Sequence, residues 1–139
     1  MFKKILVPLD GSRLAEKVLP QVEKISRCCQ PEVHLFQVVV TYEIEPEKEK
    51  EERARLLREA RQYLEKISAR LQKKKIRAHA VVAYGKDAVQ ICEYARKSKL
   101  DLIAMATHGR SGFSRWALGS VADKVLNCSR VPVLLVRVS

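Results

Sequence analysis

Apolar positions along this chain alternate between two regimes, short continuous runs and longer stretches in which they recur every three or four residues. Lys4-Ile5-Leu6-Val7-Pro8-Leu9 is a run of the first kind. It predicts a strand buried on both faces, ending at Asp10-Gly11-Ser12, with Ser12 placed to cap the helix that follows. Ala15, Val18, Leu19, Val22 and Ile25 predict that helix, and Pro20 within it predicts a kink. Pro31 marks the break before a β-branched second strand, Val33 to Val40. The mixed-charge stretch Glu43 to Lys50, which contains Pro46, predicts an exposed loop. Beyond it, Leu57, Ala60, Leu64, Ile67 and Leu71 form the apolar stripe of a long helix whose other face is charged. A third strand, Ile76 to Ala83, ends at Tyr84-Gly85-Lys86-Asp87, with Asp87 in the first turn of a helix bearing Ala88, Ile91, Cys92 and Ala95. A fourth strand, Leu100 to Met105, then a glycine-containing loop and a helix to about Cys128 come next. Val131 to Val138 predicts the last strand. Strands alternating with helices in this way predict one α/β domain, a three-layer α/β/α arrangement of five parallel strands.

In such sheets ligands bind outside the carboxyl ends of the strands, where the winding reverses. If the first and fourth strands are neighbours there, Asp10 meets the segment Met105-Ala106-Thr107-His108-Gly109-Arg110-Ser111-Gly112, which continues through Arg115 to Gly119-Ser120. That segment predicts a phosphate cradle. Gly109 and Gly119 permit close backbone approach, Arg110 and Arg115 bring positive charge, and Thr107, Ser111, Ser114 and Ser120 bring hydroxyls. Ser120 falls near a helix start, where unpaired N–H groups favour anions. Neither the P-loop string nor the G-x-G-x-x-G fingerprint is present. Asp10 is suited to accept from a ribose hydroxyl or to approach a metal on the phosphates.

Composition narrows the class. The formal charge of +11 over 139 residues raises nucleic-acid binding. The positive residues Arg53, Arg55, Arg58, Arg61, Lys66 and Arg70 are, however, interleaved with Glu51, Glu52, Glu59 and Glu65, as on a solvated helix face. Only Lys73-Lys74-Lys75 with Arg77 is dense, and aromatic residues for base stacking are few, so nucleic acid is not the expected partner. No run approaches the roughly 20 apolar residues of a membrane helix, and the start Met1-Phe2-Lys3-Lys4 leads into a strand and not a cleavable signal, so a cytoplasmic protein is expected. Cys28 and Cys29 are adjacent, while Cys92 and Cys128 stand alone. No Cys or His spacing suggests zinc or a redox pair, and all four cysteines read as small apolar residues. His34 and His79 read as ordinary sheet residues. Abundant Glu, Lys and Arg with scarce Asn point weakly to growth at high temperature.

Over its whole length the chain resembles the universal stress proteins. The resemblance is carried by Ile5-Leu6-Val7-Pro8-Leu9-Asp10-Gly11-Ser12, the Val33-to-Val40 strand, Asp101-Leu102-Ile103-Ala104-Met105, Gly109 followed after nine residues by Gly119-Ser120, and Val131-Pro132-Val133-Leu134-Leu135-Val136. The family's pattern is Gly, two residues, Gly, nine residues, Gly, then Ser or Thr; here Ala106 stands at the first glycine. The resemblance implies strand order 3-2-1-4-5 and an ATP or AMP site, with Mg carried on the phosphates. Pro8, Asp10, Val38, Met105 and Ala106 would border adenine and ribose. Thr107, His108, Gly109, Arg110, Ser111, Gly119, Ser120 and Val121 would surround the phosphates. It also implies a homodimer through the last strand, Val133 to Val138. The expected role is a nucleotide-responsive regulatory module; a slow ATPase or phosphotransferase using Asp10 and His108, and a basic interaction protein with a degenerate pocket, are the alternatives.

Overall fold

A strand made of Ile5, Leu6 and Val7 offers no polar face to water, so its stable place is between other strands with helices above and below. The structure of the chain, a computed structural model, describes residues 1–40, 46–108 and 119–138. β1 (Lys4–Pro8) lies at the centre of the sheet, and Ile5, Leu6 and Val7 are fully buried. It pairs in parallel with β2 (Glu32–Val40) on one side and with β4 (Leu102–His108) on the other. β3 (Arg77–Gly85) extends the sheet beyond β2, and β5 (Val133–Val138) beyond β4. The order is β3-β2-β1-β4-β5 with every pairing parallel, as the resemblance implies.

Strand alternation sends successive side chains to opposite faces and makes two cores. Ile5, Val7, Val33, Leu35, Leu102 and Ala104 meet Val18, Leu19 and Val22 from the first crossover, and Leu64, Ile67 and Leu71 of α3 (Pro46–Lys73). On the other face Leu6, Phe36, Ile103 and Met105 pack against α4 (Asp87–Lys97), through Ala88, Ile91 and Ala95, and α5 (Ser120–Cys128), through Ala122 and Val125. Among the described residues, no helix is long and apolar enough to cross a membrane.

Several boundaries depart from the sequence reading. The first crossover is two helices, α1 (Arg13–Glu16) and α2 (Leu19–Cys29), in place of one kinked helix. Pro20 occupies the first turn of α2, where its missing N–H has no intrahelical acceptor to lose, so it starts a helix and does not bend one. Ser12 caps α1 as expected, accepting from the Ala15 amide at 3.1 Å. Residues 46–50, expected as loop, are the first turns of α3, started by Pro46 with Glu47 and Glu49 near the helix's positive end. Residues 43–45 of that expected loop lie outside the described residues. β4 runs on to His108, three residues past the predicted end, because β5 continues to supply partners.

The cysteine reading is also corrected. Cys92 of α4 and Cys128 of α5 form a disulfide; Cys28 and Cys29 are free. Thirty-six positions separate the pair along the chain, so no spacing motif announces it. Side-by-side packing of α4 and α5 brings the two Cα atoms to 6.2 Å, within bridging range.

Asp101, one residue before β4, joins the starts of the two central strands. Its Oδ2 accepts from the Lys3 and Lys4 amides, each at 2.7 Å, while its own amide donates to the Lys4 carbonyl at 2.8 Å. The two amides, Lys4 first and then Lys3, hold this carboxyl below its ordinary 3.8. A lowered folded value means a stabilisation fully present above the ordinary value and lost as pH falls through the folded one. Asp101→Asn is therefore expected to cost on the order of 1 kcal/mol at neutral pH, the low end for hydrogen bonds to an exposed charge. Denaturant unfolding of both proteins from pH 7 to pH 2 checks this. The gap should close in acid, and a gap independent of pH would refute the assignment.

Candidate functional site

The winding reverses where β1 meets β2 on one side and β4 on the other, and a cleft of about 340 Å³ opens beyond the carboxyl ends of these strands. That volume falls within the usual range for small-molecule sites, roughly 300–1,000 Å³. Its lining divides by chemistry. Phe36, Ile91, Met105 and Ala122, all nearly inaccessible, join Pro8, Val38 and Val40 in an apolar slot, while Asp10, Asp87, His108 and Ser120 supply polar groups.

Ten of the thirteen residues singled out by sequence line this one cleft: Pro8, Asp10, Val38, Met105, Ala106, Thr107, His108, Gly119, Ser120 and Val121. The other three, Gly109, Arg110 and Ser111, lie outside the described residues, as do Ser114 and Arg115. Asp10 arrives at the mouth through a tight turn. Its Oδ1 accepts from the Ser12 amide at 2.9 Å and from the Ser12 hydroxyl at 2.5 Å, and Gly11 takes a φ of +88° that favours glycine. The Asp10 side chain is exposed there.

Thr107 and His108, expected in the loop, are strand residues opposite Arg137 and Val138. Thr107 is only 2% exposed, and its Oγ1 accepts from the Gly119 amide at 3.0 Å. Its hydroxyl therefore anchors the start of α5. Gly119 suits that closeness, since a Cβ there would sit 3.2 Å from Thr107 Oγ1, which would have to give by a few tenths of an ångström. Its φ of −59° makes no such demand. Ala106, which replaces the family's first glycine, is absent from the positive-φ residues and pairs regularly with Val136, so its methyl imposes no backbone strain. His108 is exposed at the mouth.

The N-cap residue of α5, Gly119, has no side chain to cap the helix. The amides of its first turn have no intrahelical acceptor, and the aligned peptide dipoles leave partial positive charge there, offset in part by Asp123 in the same turn. Ser120, Val121 and Ala122 thus bring anion-seeking amides to a cleft whose other wall is apolar. Such a site suits a flat, weakly polar ring attached to an anionic group.

Sequence reasoning missed Leu9, Leu14, Ala15, Phe36, Val40, Asp87, Ile91 and Ala122 as lining residues. Phe36 and Val40 could have been found from Val38, because residues two apart on a strand share a face. Asp87 and Ile91 carry no such signal. They reach the cleft only because α4 packs over β2 and β3.

Comparison with known proteins gives a consistent answer. The family model described as "Universal stress protein family" matches residues 1–137. Universal stress protein MJ0531 of Methanocaldococcus jannaschii is 32% identical over 144 residues, covering 99% of this chain and 83% of that protein. The solved structure of hypothetical protein MJ0577, from the same organism, superposes with a TM-score of 0.86 at 32% identity and covers 100% of this chain and 98% of that one. The same fold occurs in a universal stress protein solved in complex with cAMP, with a TM-score of 0.69 at 21% identity over 99% of this chain and 98% of that one. It occurs again in an Arabidopsis thaliana family member with AMP bound, with a TM-score of 0.72 at 17% identity over 99% and 92%.

The Thr107–Gly119 bond is open to a direct check. Thr107→Val keeps the shape and removes the acceptor, leaving the Gly119 amide without its partner, so unfolding free energy should fall by about 1–2 kcal/mol. An unchanged denaturation midpoint would mean that this bond does not hold the head of α5.

Proposed function

Because the chain belongs to the universal stress protein family, we propose that it is an adenine-nucleotide-binding module, taking ATP or AMP in the cleft beyond β1, β2 and β4. The observation that carries this reading is the meeting of an apolar slot with a helix start whose N-cap is a glycine, in one cavity. Relatives of the same fold solved with AMP and cAMP support the choice of adenine. In this reading Pro8, Val38, Met105 and Ala106 border the base and ribose, with Phe36 beneath, and Asp10 accepts from a ribose hydroxyl. The phosphates point toward the head of α5 at Gly119, to the amides of Ser120 and Val121, and toward His108, with Gly109, Arg110 and Ser111 completing their surroundings. Mg would arrive on the phosphates, and the carboxylate of Asp87, also at the cleft, is an oxygen donor suited to it.

We read the module as regulatory. Phosphoryl transfer requires a positioned base or water-orienting group. Asp10 is already committed to the Ser12 turn, and His108 sits exposed at the mouth, so any hydrolysis is slow. A nucleic-acid role draws less support, since Lys74 pairs with Glu23 at 2.8 Å and Arg77 donates to the Gln30 carbonyl at 2.7 Å. Location in the cytoplasm is part of the proposal. Structural disulfides there are characteristic of hyperthermophile proteins, and the Lys- and Glu-rich, Asn-poor composition points the same way.

Thermal-shift titration is expected to raise the melting temperature with ATP-Mg or AMP, and mass spectrometry of gently purified protein to find an adenine nucleotide. Gly119→Val should abolish both effects. No shift at millimolar nucleotide, or full retention of it in that variant, would refute the proposed site.

We also propose a homodimer through β5. Its Val133, Leu134, Leu135 and Val136 remain partly exposed at an edge of the sheet, and an edge of this kind seeks a partner. Analytical ultracentrifugation at micromolar concentration should give twice the chain mass of 15.9 kDa. A single species at the chain mass would rule it out.

A further inference from the structure

At the other end of the sheet from the cleft, β2 and β3 bring together a second set of chemically able side chains. Glu32 and His34 are two apart on β2 and so share a face, and the parallel register sets His79 of β3 beside His34. Glu32 Oε1 lies 3.4 Å from His34 Nε2 and 3.6 Å from His79 Nε2, and all three atoms lie within 4.8 Å of one another. His34 is 6% exposed. Its Nδ1 is 2.6 Å from the Tyr94 hydroxyl, yet its Nε2, facing the cluster, is buried without a hydrogen-bond partner. Burial first, and then the neighbouring His79, push the His34 pKa below its ordinary 6.5, against the opposing pull of Glu32.

A buried nitrogen left without a partner in a native fold calls for an explanation. We propose that Glu32, His34 and His79 bind one divalent late first-row transition ion, of which zinc is the representative. Ligand atoms about 2.0–2.1 Å from a tetrahedral ion stand about 3.4 Å apart. Both Glu32 distances are already near that value, and His79, with its side chain 46% exposed, has room to turn toward the ion. Water fills the remaining position. Two imidazoles and one carboxylate suit zinc, nickel or copper in preference to magnesium or calcium.

Tyr94 supplies the support such a site needs. If its hydroxyl accepts from Nδ1–H, the tautomer is fixed with the Nε2 lone pair facing the cluster. The ring of Tyr94 is itself held by stacking on Phe36, with centroids 4.8 Å apart. Lys4, the register partner of Glu32, brings a positive charge near the site and weakens its hold on a dication. No sequence spacing signals this cluster, because its members come together only through strand register.

Isothermal titration of the metal-stripped full chain with Zn²⁺ is the test, with Co²⁺ as a visible-absorption probe of tetrahedral coordination. One ion per chain is expected, with at least a tenfold loss of affinity in both Glu32→Gln and His79→Ala. His79 is exposed, so its variant should keep the wild-type circular dichroism and melting temperature without metal. Absence of binding at 100-fold molar excess of zinc would overturn the proposal. So would wild-type affinity in both variants, or binding lost only in Cys28→Ser or Cys29→Ser, which would assign the ion to the free cysteines.

Discussion

Burying a strand with no polar face requires neighbours on both edges and cover on both sides, and β1 meets that requirement by taking β2 and β4 as its two partners. Each of Ile5, Leu6 and Val7, fully buried, contributes about 1.5–3 kcal/mol by leaving water. Because β2 follows β1 and β4 comes much later, the chain must wind outward in both directions from this centre. The point of departure cannot be filled by a crossover helix, since the helices leave to either side. The cleft is therefore a by-product of how the core is closed.

The cleft's two chemistries follow from the elements that meet there. Strand alternation on β2 and β4 directs Phe36, Val38 and Met105 to the face covered by α4 and α5, giving an apolar slot. The next turn of structure, the head of α5, brings first-turn amides without intrahelical acceptors to the same place, held by the contact between Thr107 and Gly119. The Cys92–Cys128 bridge then ties α4 to α5, so the two helices that contribute Ile91 and Ala122 to the slot are joined covalently. What began as core packing ends as a shaped binding surface.

Much of this was legible in the residues because hydrophobic period is a strong signal over long stretches. All five strands and the stripe of α3 were readable from it. Strand order was not; it came from family resemblance. Pro20 and Pro46 were misjudged for one reason. Proline breaks a helix in its interior but is favoured in its first turn, and only a known start point distinguishes the cases. The extent of β4 depended on β5, a partner distant in sequence. The same holds for Cys92 with Cys128, for Asp87 and Ile91 at the cleft, and for Glu32, His34 and His79. Each is brought into place by register or helix packing, which no local window contains. Within the cleft, Gly119 was singled out for close approach of a phosphate; among the described residues, the atom a Cβ there would crowd is Thr107 Oγ1.

Uniform strand direction carries one more implication. Every crossover helix from α2 to α5 connects two parallel strands of the one sheet, so each begins near the end of the sheet where the strands finish and stops near the end where they begin. Their peptide dipoles add, each equivalent to about half an elementary charge at either tip. The domain is thus bipolar along its strands, one pole drawing anions and the other cations, independently of the +11 carried by its side chains.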